Sequence, residues 1–347
     1  MDISRAELEP VVVKFYRQYM QQINDVTYPS GSLLVNPDVQ DCIYRYFFDS
    51  SRNKYLPPPK YQARILKHII SDIEKACKNP EEDQVSDLLM EHMGILSAIP
   101  QQQPFEDAQQ AQVHSYFPPL PLDQVGVRPI LIKEAQNLLS RGNNVGLRTW
   151  EAAQHLAWYL MMERPDLVKK KNVLELGAGT GFLSLLCAGE LDARHVLATD
   201  GLAHVCESLQ TNADLNKAND TLHGHNPPQV QQLDWTDQSE LEQVLRDARK
   251  DCIRYDLVIG ADITYHPDIL RPLAELLKTL SDVNPGLQIL ISSTIRNVHT
   301  FSQFTAICQE DLGFRITDVK CIIPEGLRYS GFFHSVATEI KIVRLKR

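Results

Sequence analysis

The spacing of apolar positions divides the chain into two kinds of pattern. Over residues 5–26, Leu8, Val12, Phe15, Tyr19, Ile23 and Val26 recur at helical intervals, and Pro29 and Gly31 follow as terminators. Similar stripes run through Val39, Ile43, Tyr46 and Phe47, through Ile65, Ile69 and Ile73, and through Val85, Leu88, Leu89 and Met93. Pro57-Pro58-Pro59 breaks the chain between the first two of these. Together they predict a small all-helical domain over 1–98. Residues 99–121 are rich in proline and glutamine and read as a linker. From 122 onward the pattern changes. Val127, Ile130, Leu131 and Ile132 look extended, and Leu138, Leu139 and the turn Arg141-Gly142-Asn143-Asn144 suggest a hairpin. Thr149 is placed to cap a helix with Leu156, Tyr159 and Leu160 on one side.

Beyond residue 171, strands alternate with helices. The predicted strands are 172–176, 195–199, 229–233, 255–260 and 287–293, with helices starting near 181, 203, 239, 267 and 298. This alternation predicts a doubly wound α/β sheet, parallel and covered on both faces. Two last strands, 314–319 and 335–343, have no helix between them and predict an antiparallel hairpin at one edge. The whole of 122–347 then forms one seven-stranded domain.

Composition narrows the function classes. Hydrophobic residues are 43% and charged residues 23% of 347, as in a globular protein of about two domains. A net charge of −9 opposes a broad phosphate-binding surface, so no direct nucleic-acid partner is expected. No run of about 18 apolar residues predicts a membrane span. The first residues, Met1-Asp2-Ile3-Ser4-Arg5-Ala6-Glu7, lack a secretory h-region. Seven scattered cysteines without a C-x-x-C pair read as reduced thiols of a cytoplasmic protein and give no metal-ligand spacing.

The candidate chemistry lies at the carboxyl ends of the strands, where open α/β sheets bind ligands. The first strand runs into Gly177-Ala178-Gly179-Thr180-Gly181-Phe182. Glycines there admit positive φ and let the backbone approach a ligand. The spacing is G-x-G-x-G, not the dinucleotide G-x-G-x-x-G. Glu175 precedes it and would repel a pyrophosphate, whereas a sulfonium or ammonium tolerates it. Asp200 closes the second strand, placed to accept from ribose hydroxyls. Asp234 can accept from an exocyclic amine, and Trp235 can pack on a purine. The set fits S-adenosylmethionine better than NAD. Trp150 and Trp235 also fit plain core positions, and Glu175 also fits a helix-dipole partner.

Trp150-Glu151-Ala152-Ala153, Leu174 to Gly181, Asp234-Trp235 and Asp262-Ile263-Thr264-Tyr265 resemble the seven-β-strand protein-lysine methyltransferases over residues 125–347. With the N-terminal helical module and Ser293-Thr294-Ile295-Arg296-Asn297, the chain looks like the branch that acts on elongation factor 2. The resemblance implies the class I methyltransferase fold, S-adenosylmethionine as cofactor, and elongation factor 2 as the protein substrate. It further implies that Trp150 lines the methionine end of the cofactor, that Gly177, Ala178 and Gly179 pass under it, and that Asp200 holds the ribose. Trp235 would lie at the adenine, Ala261 beside the methyl group, and Asp262 and Tyr265 would shape the lysine channel. A nucleic-acid methyltransferase and a non-catalytic protein retaining the fold are the alternatives. The absence of an Asn/Asp-Pro-Pro-Tyr segment and the acidic balance speak against the former, and the intact acids at strands two and three against the latter.

Overall fold

The computed structural model describes residues 9–79, 83–100, 111–124, 126–134, 145–323 and 330–347. The backbone falls into two compact units, 1–137 with 324–333, and 138–323 with 334–347.

In the first unit four helices form where the apolar stripes predict them, and a fifth, short one starts at Gly31, read from sequence as a terminator. α1 (Pro10–Met20) begins on a proline, which suits a position whose N–H would be unpaired. α2 (Gly31–Leu34) and α3 (Pro37–Ile43) follow, the latter capped by the Asn36 side chain accepting from Asp38 N at 2.9 Å. α4 (Pro59–Ala76) and α5 (Asp87–Ala98) complete the set. Phe15, Tyr19 and Phe47 meet at the centre, both ring pairs with Phe47 at 4.9 Å, and the Tyr19 hydroxyl donates to Phe47 O at 2.8 Å.

Two features differ from the sequence expectation. Within the segment read as a linker, β1 (Gln112–Tyr116) pairs antiparallel with β2 (Ile130–Glu134). Its apolar content alone is low, so polarity masked a strand whose His114, Ser115 and Tyr116 are buried. The hairpin turn expected at 141–144 and residues 101–110 of the linker lie outside the described residues. The extended segment at 130–132 does form a strand, but its partner comes from the N-terminal side.

The second unit is a seven-stranded sheet. Its strands are β3 (Asn172–Leu176), β4 (His195–Asp200), β5 (Gln229–Gln232), β6 (Leu257–Ala261), β7 (Gln288–Thr294), β8 (Arg315–Val319) and β9 (Ile340–Lys346). The order across the sheet is β5-β4-β3-β6-β7-β9-β8, and only β9 runs antiparallel to its neighbours. Around it lie α6 (Glu151–Trp158), α7 (Phe182–Ala188), α8 (Ala203–Ala218), α9 (Gln238–Lys250), α10 (Pro267–Val283) and α11 (Val298–Ala306). β3 and β6 are buried along nearly their whole length, as a central parallel strand must be. The last strand lies several residues later than its apolar pattern predicts. Register explains this: Thr294 pairs with Ile340 and Ile289 with Leu345, which buries Ile342, Val343 and Leu345.

Candidate active site

β3 sits between β4 and β6, so the chain order reverses at its end. That reversal opens a crevice beyond the carboxyl ends of the strands. The glycine turn after β3 occupies it. Gly177 has φ +62°, and a Cβ there would stand 2.6 Å from Ile263 Cγ2. Gly179 has φ +55°, and its Cβ would stand 3.0 Å from Gly146 O. Glycine is thus required twice: for the left-handed backbone, and for the close approach of Ile263 on one side and the 145–150 segment on the other.

Two carboxylates face the turn. Asp200, the last residue of β4, accepts from Gly179 N at 3.1 Å through Oδ2 and from Leu202 N at 3.2 Å through Oδ1. Burial raises its pKa and these backbone N–H groups hold it down. Glu175 is buried and accepts a hydrogen bond from the Ser184 hydroxyl on α7. Burial pushes its pKa up to about 8; Ser184 opposes the shift and the Asp200 charge adds to it. A cationic ligand placed here would favour the ionised form of Glu175.

Asp262 follows β6 with φ +53°, a conformation that costs a non-glycine residue energy. The strained turn sends its carboxylate back across the sheet. Oδ1 accepts from Thr294 N at 2.6 Å, and Oδ2 accepts from the Thr294 hydroxyl at 3.0 Å and from Arg296 at 3.3 Å. Burial raises the Asp262 pKa, while Thr294 and Arg296 oppose that. Arg296 continues to Glu151 at 3.2 Å, and its guanidinium carbon lies 4.9 Å from the Trp150 ring centre. Arg148 also reaches Glu151, at 3.3 Å, and lies 5.2 Å from the same ring. A chain of alternating charges therefore runs from the end of β6 to the start of α6.

All nine residues expected at the site line one cavity of about 250 Å³: Trp150, Gly177, Ala178, Gly179, Asp200, Trp235, Ala261, Asp262 and Tyr265. Tyr265 stands at the rim, 57% exposed. Asp234 lines the cavity as well, with Oδ1 already taken by the Thr236 N–H and hydroxyl. The Trp235 indole N–H is buried without a hydrogen-bond partner among the described residues, a penalty that a ligand acceptor would remove. Carboxylates at the turn, an orphaned indole donor and a glycine bed together fit an adenosyl group bearing positive charge. Among the described residues no group of three or more His, Cys, Asp or Glu could hold a metal ion.

Some functional neighbours escaped sequence reasoning. Arg148, Ser184 and the buried Thr149–Thr180 hydroxyl pair at 2.8 Å carry no motif of their own. Arg296 lies in the segment Ser293-Thr294-Ile295-Arg296-Asn297, whose sequence gives it no role. Only spatial adjacency to Glu151 and Asp262 reveals it.

The sheet order and the cavity at its switch point define a class I methyltransferase fold. The lysine methyltransferase family matches residues 133–310. A protein-lysine N-methyltransferase of Chaetomium thermophilum, EFM3, is 36% identical over 99% of this chain and 99% of its own. EEF1A lysine methyltransferase 3 of Xenopus tropicalis is 36% identical over 47% of this chain and 65% of its own. The human protein-lysine N-methyltransferase EEF2KMT is 30% identical over 51% of this chain and 53% of its own. The chain belongs to the lysine methyltransferase family. It is a protein-lysine N-methyltransferase, and S-adenosylmethionine is its methyl donor.

Proposed function

We propose that the substrate is a translation elongation factor, with elongation factor 2 the first candidate. The name of the human relative carries EEF2, and the N-terminal helical module with Ser293-Thr294-Ile295-Arg296-Asn297 resembles that branch. One observation favours elongation factor 1A as a second reading: the frog relative bearing that name is the more identical of the two over its matched segment. A cytoplasmic setting fits seven cysteines that form no disulfide in the described structure, and no described helix is long and apolar enough to cross a membrane.

The observation that carries the reading of the site is the convergence of nine residues on one cavity with Tyr265 open at its rim. Trp150, the glycine turn, Asp200, Trp235 and Ala261 hold the cofactor in this proposal. S-adenosylmethionine supplies a methyl group activated by the sulfonium when bound. The residues must then present a neutral lysine. At pH 7 deprotonating a free lysine costs about 4–5 kcal/mol. A channel that desolvates the amine lowers that cost. Tyr265 borders the entry with its ring and hydroxyl. Asp262 has three of its lone-pair directions occupied by Thr294 and Arg296, so it fixes the turn and retains one direction for the amine. No residue is assigned as a dedicated base; positioning supplies most of the rate. The helical unit helps recognise the folded substrate.

The experiment incubates purified elongation factors 2 and 1A with labelled cofactor and maps the label by mass spectrometry. Incorporation at one lysine of one factor is expected, with Asp262→Ala slower by at least about tenfold, the loss of one positioned hydrogen-bonding group. Label on neither factor, or undiminished turnover by Asp262→Ala, removes the substrate or the Asp262 role respectively.

A further inference from the structure

The methyl donor carries a carboxylate at its methionine end besides its two cationic groups. Among the described residues, the cavity is lined by four acids, Glu175, Asp200, Asp234 and Asp262, and by a single cationic side chain, Arg148. A carboxylate drawn into such surroundings without a positive partner would be strongly disfavoured. We propose that Arg148 binds the carboxylate of the cofactor's methionine moiety, a binding residue beyond the nine expected. This rests on S-adenosylmethionine as the donor.

Three features of the structure support it. First, Arg148 is carried on the segment that lies directly on the glycine turn, since the missing Cβ of Gly179 leaves room for Gly146 O. It is two residues from Trp150, the residue assigned to the methionine end. Second, the guanidinium is available. Its side chain is 38% exposed, and its partner Glu151 lies 3.3 Å away. Third, releasing Glu151 costs little. Arg296 holds the other Glu151 oxygen at 3.2 Å and also binds Asp262 at 3.3 Å. Arg148 can therefore turn from Glu151 toward a ligand while Glu151 stays paired. A guanidinium suits this task because its planar fork matches a carboxylate.

The test compares binding of S-adenosylmethionine with its decarboxylated form, which keeps the sulfonium, the amine and the adenosine. Dissociation constants are read by calorimetry on the full chain, without protein substrate. The unaltered protein is expected to prefer the carboxylate-bearing ligand. Arg148→Ala and Arg148→Gln should lose about tenfold for that ligand and little for the decarboxylated one, in line with one charge-assisted bond at a half-exposed site. Arg148→Lys should keep part of the preference. Equal losses for both ligands would mean a packing role and overturn the inference, as would no loss for either. If Arg148→Ala does not fold, the same ratio is read on the Gln and Lys variants. Failure of the unaltered protein to bind either compound would overturn the donor assignment itself. Binding with an unchanged ratio overturns only the role of Arg148.

Discussion

Glu175 shows how a site residue is held against its own preference. It is enclosed by protein, bonded by Ser184, and its pKa is raised to about 8 by burial above all. The linkage sign follows from that direction. In the unfolded chain Glu175 ionises near its ordinary value, while in the fold it keeps its proton until pH about 8. The folded state is thus most favoured by this residue below the ordinary carboxylate range, and it loses that advantage as pH rises toward about 8. The full shift corresponds to at most about 5 kcal/mol. Glu175→Gln keeps an acceptor for Ser184 and removes the ionisation. Ligand-free protein carrying it should melt higher than the parent at pH 8, with the gain vanishing near pH 4. The same substitution should weaken binding of a cationic donor by about tenfold or more, since it removes a buried counter-charge. Thermal melting across pH and calorimetry check the two halves separately. An unchanged melting difference across that pH range would contradict the raised pKa. Burial raises Asp200 and Asp262 in the same direction, and backbone N–H donors oppose it, from Leu202 and Gly179 at Asp200 and from Thr294 at Asp262.

At the scale of elements, the strands carry the site by bringing small and large residues into contact. Gly260 in β6 faces Ile263, and a Cβ on Gly260 would lie 2.4 Å from Ile263 Cδ1. Gly260→Ala should destabilise the second unit by about 2 kcal/mol, the usual cost of overpacking. Ile263→Val removes Cδ1, so the double variant should recover part of the loss, and denaturant melts of the four proteins measure the coupling. Additive losses would show that the two residues do not meet as described. The alternation of apolar and glycine-rich segments made these elements legible in sequence. β3 spans the predicted residues, and β4, β6 and β7 fall within two residues of the prediction. The site residues at their ends were legible for the same reason, because the strand tips fix where Asp200, Asp234 and Asp262 stand. What periodicity could not give is rotamer and pairing. The Asp262 carboxylate turns to Thr294 and Arg296, some thirty residues on, through a positive φ that no local pattern announces.

For the whole molecule, the boundary between units was the least legible feature, because it depends on contacts far apart in sequence. Polarity places a break at 99–121, yet β1 lies there and pairs with β2. The first unit also takes in a segment from near the end of the chain. Arg17 donates to Ser330 O at 2.6 Å, Gln21 exchanges hydrogen bonds with the Phe333 backbone, and Phe332 N donates to Phe117 O at 3.0 Å. The Phe332 ring is 1% exposed. A chain cut at residue 122, where composition suggests the catalytic domain starts, would strip β2 of its partner and leave Phe332 and the Ser330 and Phe333 backbone without theirs. Such a chain should aggregate or bind cofactor poorly, through exposed apolar surface and unpaired backbone rather than any loss at the cavity. Phe332→Ala in the full chain separates the two explanations. It should destabilise the first unit by about 3–4 kcal/mol, as removal of a buried phenylalanine does, while the dissociation constant for S-adenosylmethionine stays within about twofold, because no cavity-lining residue is altered. A stable, cofactor-binding chain beginning at 122 would show instead that the late segment belongs to the helical unit in geometry alone and contributes nothing to holding the protein together.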